Sequence, residues 1–75
     1  MLKTYYVPCG PDGNPTPAQA RKRGTPEYGY DTCPRALRYA PKGGHVERRF
    51  VSGADDWSDG IVAFKTVEGT IHYTR

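Results

Sequence analysis

Polar and apolar positions change their period several times along this 75-residue chain. Residues 2–7, Leu-Lys-Thr-Tyr-Tyr-Val, are rich in β-branched and aromatic side chains and run into Pro8, which predicts a first strand. Residues 9–15 hold two glycines and two prolines and read as loop. Thr16 then suits an N-cap, Pro17 the first helical position, and Gln19 the reciprocal partner of a capping box. Gly24 stands where a C′ glycine belongs, so a helix is predicted over 17–23. Its only apolar residues are Ala18 and Ala20, which predicts a surface position. Across 31–41, Cys33, Ala36, Leu37 and Ala40 recur at i, i+3, i+4 and i+7 while Arg35 and Arg38 point away. As a strand the same residues separate nothing, so a second helix is predicted, capped by Asp31 or Thr32.

After Pro41-Lys42-Gly43-Gly44 the pattern becomes β. Residues 45–51 form an imperfectly amphipathic strand, 52–60 read as an acidic loop around Trp57, and 61–67 and 70–75 flank a two-residue turn at Glu68-Gly69. That turn sets Val67 opposite Thr70, Lys65 opposite His72 and Phe64 opposite Tyr73. Val62, Phe64, Ile71 and Tyr73 then share a face assigned to the core. The resulting class is α+β: a small single domain with an antiparallel sheet of three to four strands. Two short helices and a long Pro/Gly-rich loop cover one face. In chain order this is strand 1–7, loop and helices 8–41, and an antiparallel β segment 45–75.

Composition narrows the function classes. At 8.4 kDa the chain has room for one small core, and a nucleotide-binding sheet or a deep cleft is excluded. All seven prolines fall before residue 42, which marks the change from turn-rich to β-rich chain. Net charge is +3, but residues 21–49 carry eight bases against three acids, so the middle third is the part that attracts a polyanion. No stretch is apolar enough to span a bilayer and the N-terminus lacks a signal-peptide core, which predicts a cytoplasmic protein with no membrane partner. Cys9 and Cys33 are then expected as free thiols, a single bridge between them being the alternative.

Candidate chemistry is sparse. Cys9, Cys33, His45 and His72 have the composition of a zinc ligand set, but no two lie within five residues, and no metal or other cofactor is expected. Residues 55–60 place Asp55, Asp59 and Gly60 at the first, fifth and sixth positions of a calcium loop. Trp57 then falls where an oxygen ligand is needed and Thr66 at the closing position, so that motif is rejected. Neither cysteine has a neighbouring histidine and neither Ser52 nor Ser58 sits in a nucleophile motif, so catalysis is not expected.

What remains is binding. Arg21, Lys22 and Arg23 form the densest basic run, with Arg35, Arg38 and Lys42 extending it, although cations in a last helical turn also suit the helix dipole. Tyr28 and Tyr30, with Tyr5, Tyr6 and Tyr39, either lid the core or offer an interaction surface. Trp57, the single tryptophan among nine aromatics, is expected in the core, with a partner-binding anchor as the alternative. The leading expectation is a stand-alone, non-enzymatic protein-binding module of the inhibitor or adaptor kind that phages and mobile elements encode. It would occlude a larger protein or nucleoprotein, and a homodimer is compatible with so small a core. The alternative is direct nucleic-acid binding by the basic segment 21–49.

Overall fold

A computed structural model describes residues 2–22 and 29–74, with the side chains of Ala18, Ala20 and Lys22 excepted. Six elements follow in chain order: β1 (Leu2–Cys9), α1 (Pro17–Lys22), α2 (Cys33–Tyr39), β2 (His45–Ser52), β3 (Asp55–Lys65) and β4 (Ile71–Tyr73). The strands form one antiparallel sheet in the order β1-β2-β3-β4, each beside its sequence neighbour. The α+β class is compatible with this mostly-sheet arrangement.

α2 forms for the reasons its periodicity gives. Thr32 accepts the Arg35 N–H through its hydroxyl at 3.3 Å, and Pro34 sits in the first turn, where a missing N–H costs nothing. Ala36, Leu37 and Ala40 are buried, Cys33 is half-buried, and Arg35 and Arg38 are exposed. The apolar stripe lies on Val46, Val62 and Ala63, with Tyr6 and Tyr30 packed at its margin. The last turn is held from below: Lys65 Nζ donates to the carbonyls of Leu37 at 2.5 Å and Ala40 at 2.8 Å, answering two orphan acceptors with a cation.

Two irregularities in β3 shape the sheet. The β2–β3 register shifts between Val46 and Glu47 and again between Arg48 and Arg49, which leaves Val62 and Asp59 as extra residues. The first bulge lets consecutive residues Val62 and Ala63 both enter the core, breaking strict alternation. The second sets Asp59 against Arg48, whose guanidinium grips both carboxylate oxygens. Bulges strengthen local twist, and the sheet curls accordingly.

Several expectations are corrected. Residues 52–60 are not a loop: Gly53 and Ala54 alone turn the chain, Gly53 with φ of +60°, and Asp55–Gly60 is strand. Arg48 and Arg49 neutralise Asp59 and Asp56 across the hairpin, so an acidic run is tolerated in a ladder. The last turn is one residue longer than expected. Gly69 N–H donates to Thr66 O, Thr66 N–H to Thr70 O, and Gly69 has φ of +96°, the pattern of a three-residue hairpin loop. Register therefore slips by one: Phe64 faces His72 and Ala63 faces Tyr73. The slip moves Ile71 and Tyr73 to the face of Lys65 and Ala63, away from Phe64. Of the residues assigned to one core face only Val62 is buried: Ala63 joins it in the core, and Phe64, Ile71 and Tyr73 are exposed.

The capping box is also not made. Thr16 N–H donates to Pro8 O, and Gln19 Oε1 accepts from Gly29 N–H at 2.6 Å. Gln19 is buried and ties α1 to the segment at Gly29-Tyr30, which pairs with the free edge of β1 through Tyr6. Pro8 does not end β1, because edge position leaves its missing N–H unneeded. Nor is the covering confined to one face. Val7 and Cys9 alternate away from α2 and form a second buried cluster, with Gly29 closely approaching Val7. The expected helix terminus at Arg23 and Gly24 lies outside the described residues.

Two substitutions test this packing by urea denaturation. Lys65→Met is expected to lower stability by about 1–3 kcal/mol, the net worth of hydrogen bonds to a charged donor. Gly44→Ala is expected to cost about 3 kcal/mol or more, because a Cβ there overlaps the Cys9 carbonyl oxygen and lies 2.9 Å from that of Pro41. Wild-type midpoints in either variant would contradict the packing.

Candidate functional site

The sheet is far longer than its helical cover. β3 has 11 residues, a span of about 36 Å at the usual rise per strand residue. α2 has 7 residues, about 10 Å of helix. The helix covers the end of one face at Val46 and Ala63, and the same face continues uncovered beyond it.

Strand pairing gives the order of side chains along that open stretch. Partners share a face, so Tyr6 lies beside Arg48, Thr4 beside Phe50 and Leu2 beside Ser52, with Trp57 across from Phe50. Arg48 marks the boundary: it is tied to Asp59 and lies over the Phe50 ring at 5.4 Å. The side-chain hydrogen bond to Asp59 raises its pKa further, so the boundary is a lasting ion pair. Beyond it Phe50 and Trp57 stack with centroids 5.7 Å apart. Trp57 remains 45% exposed and Leu2 56% exposed, so the far end is an apolar and aromatic surface in water. The core position expected for Trp57 is thus corrected: the hairpin carries it past the reach of α2.

The basic residues lie elsewhere. Arg35 and Arg38 are exposed on the outer side of α2, Arg35 paired with Asp31 at 3.2 Å, and Lys42 is exposed in the turn that follows. Tyr39 stands among them, 58% exposed and stacked face to face on Tyr30 at 4.9 Å. Arg21 is exposed on α1 and Lys22 belongs to the same helix, while Arg23 and Tyr28 lie outside the described residues. The residues singled out from sequence therefore divide into a basic and tyrosine-bearing surface around α2 and an aromatic surface at the far end of the sheet. Phe50 and Leu2 were missed; their alignment with Trp57 depends on a hairpin that the acidic run conceals.

The opposite face carries charge and sulfur. Arg49 bridges Glu47 at 2.5 Å and Asp56 at 2.8 Å. Cys9 lies opposite His45 in the β1–β2 register, and Cys9, His45 and Glu47 bring one ligand atom each to within 4.8 Å of one another. His72 stacks on Phe64 and stands apart from this group, and Cys33 belongs to α2. Both cysteines are free thiols. Among the described residues no helix is long and apolar enough to cross a membrane. Comparison with protein-family models, curated proteins and solved structures finds no match for this chain.

Burial, then the nearby Glu47 carboxylate, pushes the Cys9 thiol from 9.0 up to about 11. Because the folded pKa is raised, the contribution is intact below pH 9.0 and is lost as pH rises toward about 11, where the unfolded chain ionises first. In the reduced, metal-free chain, the difference in urea stability between wild type and Cys9→Ala should fall across that alkaline window. A pH-independent difference would contradict the buried protonated thiol.

Proposed function

We propose that the chain is a non-enzymatic protein-binding module that acts by laying the open end of its sheet against a larger partner. The observation that carries this reading is the stacked pair Phe50–Trp57, with Trp57 and the neighbouring Leu2 exposed, on a face whose other end forms the core. Aromatic anchors held in place by neighbours lose little freedom on binding, and tryptophan is the residue type most enriched where binding energy concentrates. The Arg48–Asp59 ion pair gives the patch a polar rim on its core side. Occlusion of a partner's surface, as an inhibitor or an adaptor does, is the mode of action that an open sheet face supports best.

A second reading has its own observation. Arg35, Arg38 and Lys42 are exposed beside the Tyr30–Tyr39 stack, a combination of cations and ring faces that suits phosphate and base contact. It makes the partner a nucleic acid, or a nucleoprotein whose protein part meets Trp57.

The two readings separate in one pull-down from lysate, with and without nuclease, using wild type, Trp57→Ala and the double variant Arg38→Glu/Lys42→Glu. A protein retained after nuclease, and weakened about 30-fold or more by Trp57→Ala, is the expected outcome, since an anchor of this kind contributes about 2 kcal/mol or more. Binding that disappears with nuclease, or that survives Trp57→Ala but not the charge reversal, would replace the first reading with the second.

A further inference from the structure

The end of β1 brings three metal-binding side chains from two strands onto one side of the sheet. Cys9 pairs with His45, and Glu47 follows two residues along β2, so alternation directs all three the same way. Their Sγ, imidazole nitrogen and carboxylate oxygen lie within 4.8 Å of one another. Cys9 is 1% exposed, while His45 and Glu47 are half-buried, which leaves the group a route to solvent on the histidine and glutamate side.

We propose that Cys9, His45 and Glu47 form a three-ligand site for a divalent zinc-class cation, with the fourth position open. The donor set decides the class of metal. One thiolate, one imidazole and one carboxylate suit zinc, whereas calcium and magnesium call for oxygen ligands throughout. A tetrahedral zinc ion with bonds of about 2.0–2.3 Å holds its ligand atoms about 3.5 Å apart. The three groups approach that spacing before any ion draws them in, and two of them have long enough side chains to close the remainder.

The surroundings balance the charge. Thiolate and glutamate together neutralise a dication, and the proton that leaves Cys9 passes to solvent as the metal–sulfur bond forms. Arg49 Nη1 holds one oxygen of Glu47 at 2.5 Å, which leaves the second oxygen for the metal and fixes the carboxylate plane. Asp56 at 2.8 Å occupies another arm of the same guanidinium, so Arg49 keeps a partner when Glu47 binds metal. Asp12, in the loop after β1, lies within electrostatic reach of both Cys9 and His45 and adds to the negative potential there. The bound ion clips the edge strand β1 to β2 at the end where the Pro-rich segment departs, and a small core gains from such a clip.

Cobalt(II) and zinc(II) titrations of the reduced chain test the site directly. One equivalent of cobalt is expected to give thiolate-to-metal charge-transfer absorption and the intense visible bands of tetrahedral geometry, both displaced by zinc. Cys33→Ser should leave them unchanged and Cys9→Ser should abolish the charge-transfer band. Since Cys9 is buried, His45→Gln and Glu47→Gln, checked for native circular dichroism, give a second arm. Each should weaken zinc by more than about 100-fold, beyond the roughly 10–100-fold that loss of an outer-shell partner costs. Absence of the charge-transfer band at one equivalent, its survival in Cys9→Ser, or unchanged affinity in a folded His45→Gln would overturn the site.

Discussion

The mismatch between a seven-residue helix and strands of up to eleven residues governs this molecule. A sheet buries apolar surface only where something lies on it, and α2 reaches one end of one face. The buried cluster is accordingly confined to that end, under Ala36, Leu37 and Ala40. Everything further along the face must be satisfied by its neighbours within the sheet. Arg48 and Asp59 pair across strands, and Phe50 and Trp57 cover each other's faces as far as a stack allows.

Bulges reconcile the short cover with the long strands. At Val62 the extra residue directs two consecutive side chains into the space beneath α2, which enlarges a core that strict alternation would starve. At Asp59 it turns a carboxylate toward Arg48 at the point where the cover ends. The opposite face is buried at Val7 and Cys9, while its Ile61 and Phe64 are exposed. The Pro-rich segment pairs with the edge of β1 through Tyr30, and Gln19 secures its return with a hydrogen bond to Gly29. Trp57 and Leu2 are exposed at the far end of the sheet because covering stops before it.

Much of this was legible in the sequence, and the failures have physical causes. The amphipathic stripe of α2 and its Thr32 cap could be read because local periodicity and tertiary packing agree there. The start of β3 could not, because Asp55, Asp56, Ser58 and Asp59 resemble a solvated loop until Arg48 and Arg49 are placed opposite them. The β4 register failed on a single residue: Glu68-Gly69 fits a two-residue turn, yet Thr66 accepts through both its backbone and its hydroxyl and closes a longer loop. Spacing along the chain likewise hid the meeting of Cys9 with His45, since strand pairing joins residues without regard to their sequence separation. The two surfaces around Trp57 and α2 were each glimpsed as residue types, but only the fold divides them.

Trp57 is the single tryptophan, so its fluorescence reports on the open end of the sheet and nothing else. Acrylamide quenching of the free chain, measured over a range of protein concentrations, tests the central claim most directly. A water-accessible indole, readily quenched and independent of concentration, is the expected result. A shielded, blue-shifted indole in the free chain would contradict it, because the aromatic end would then be covered and could not be the surface offered to a partner.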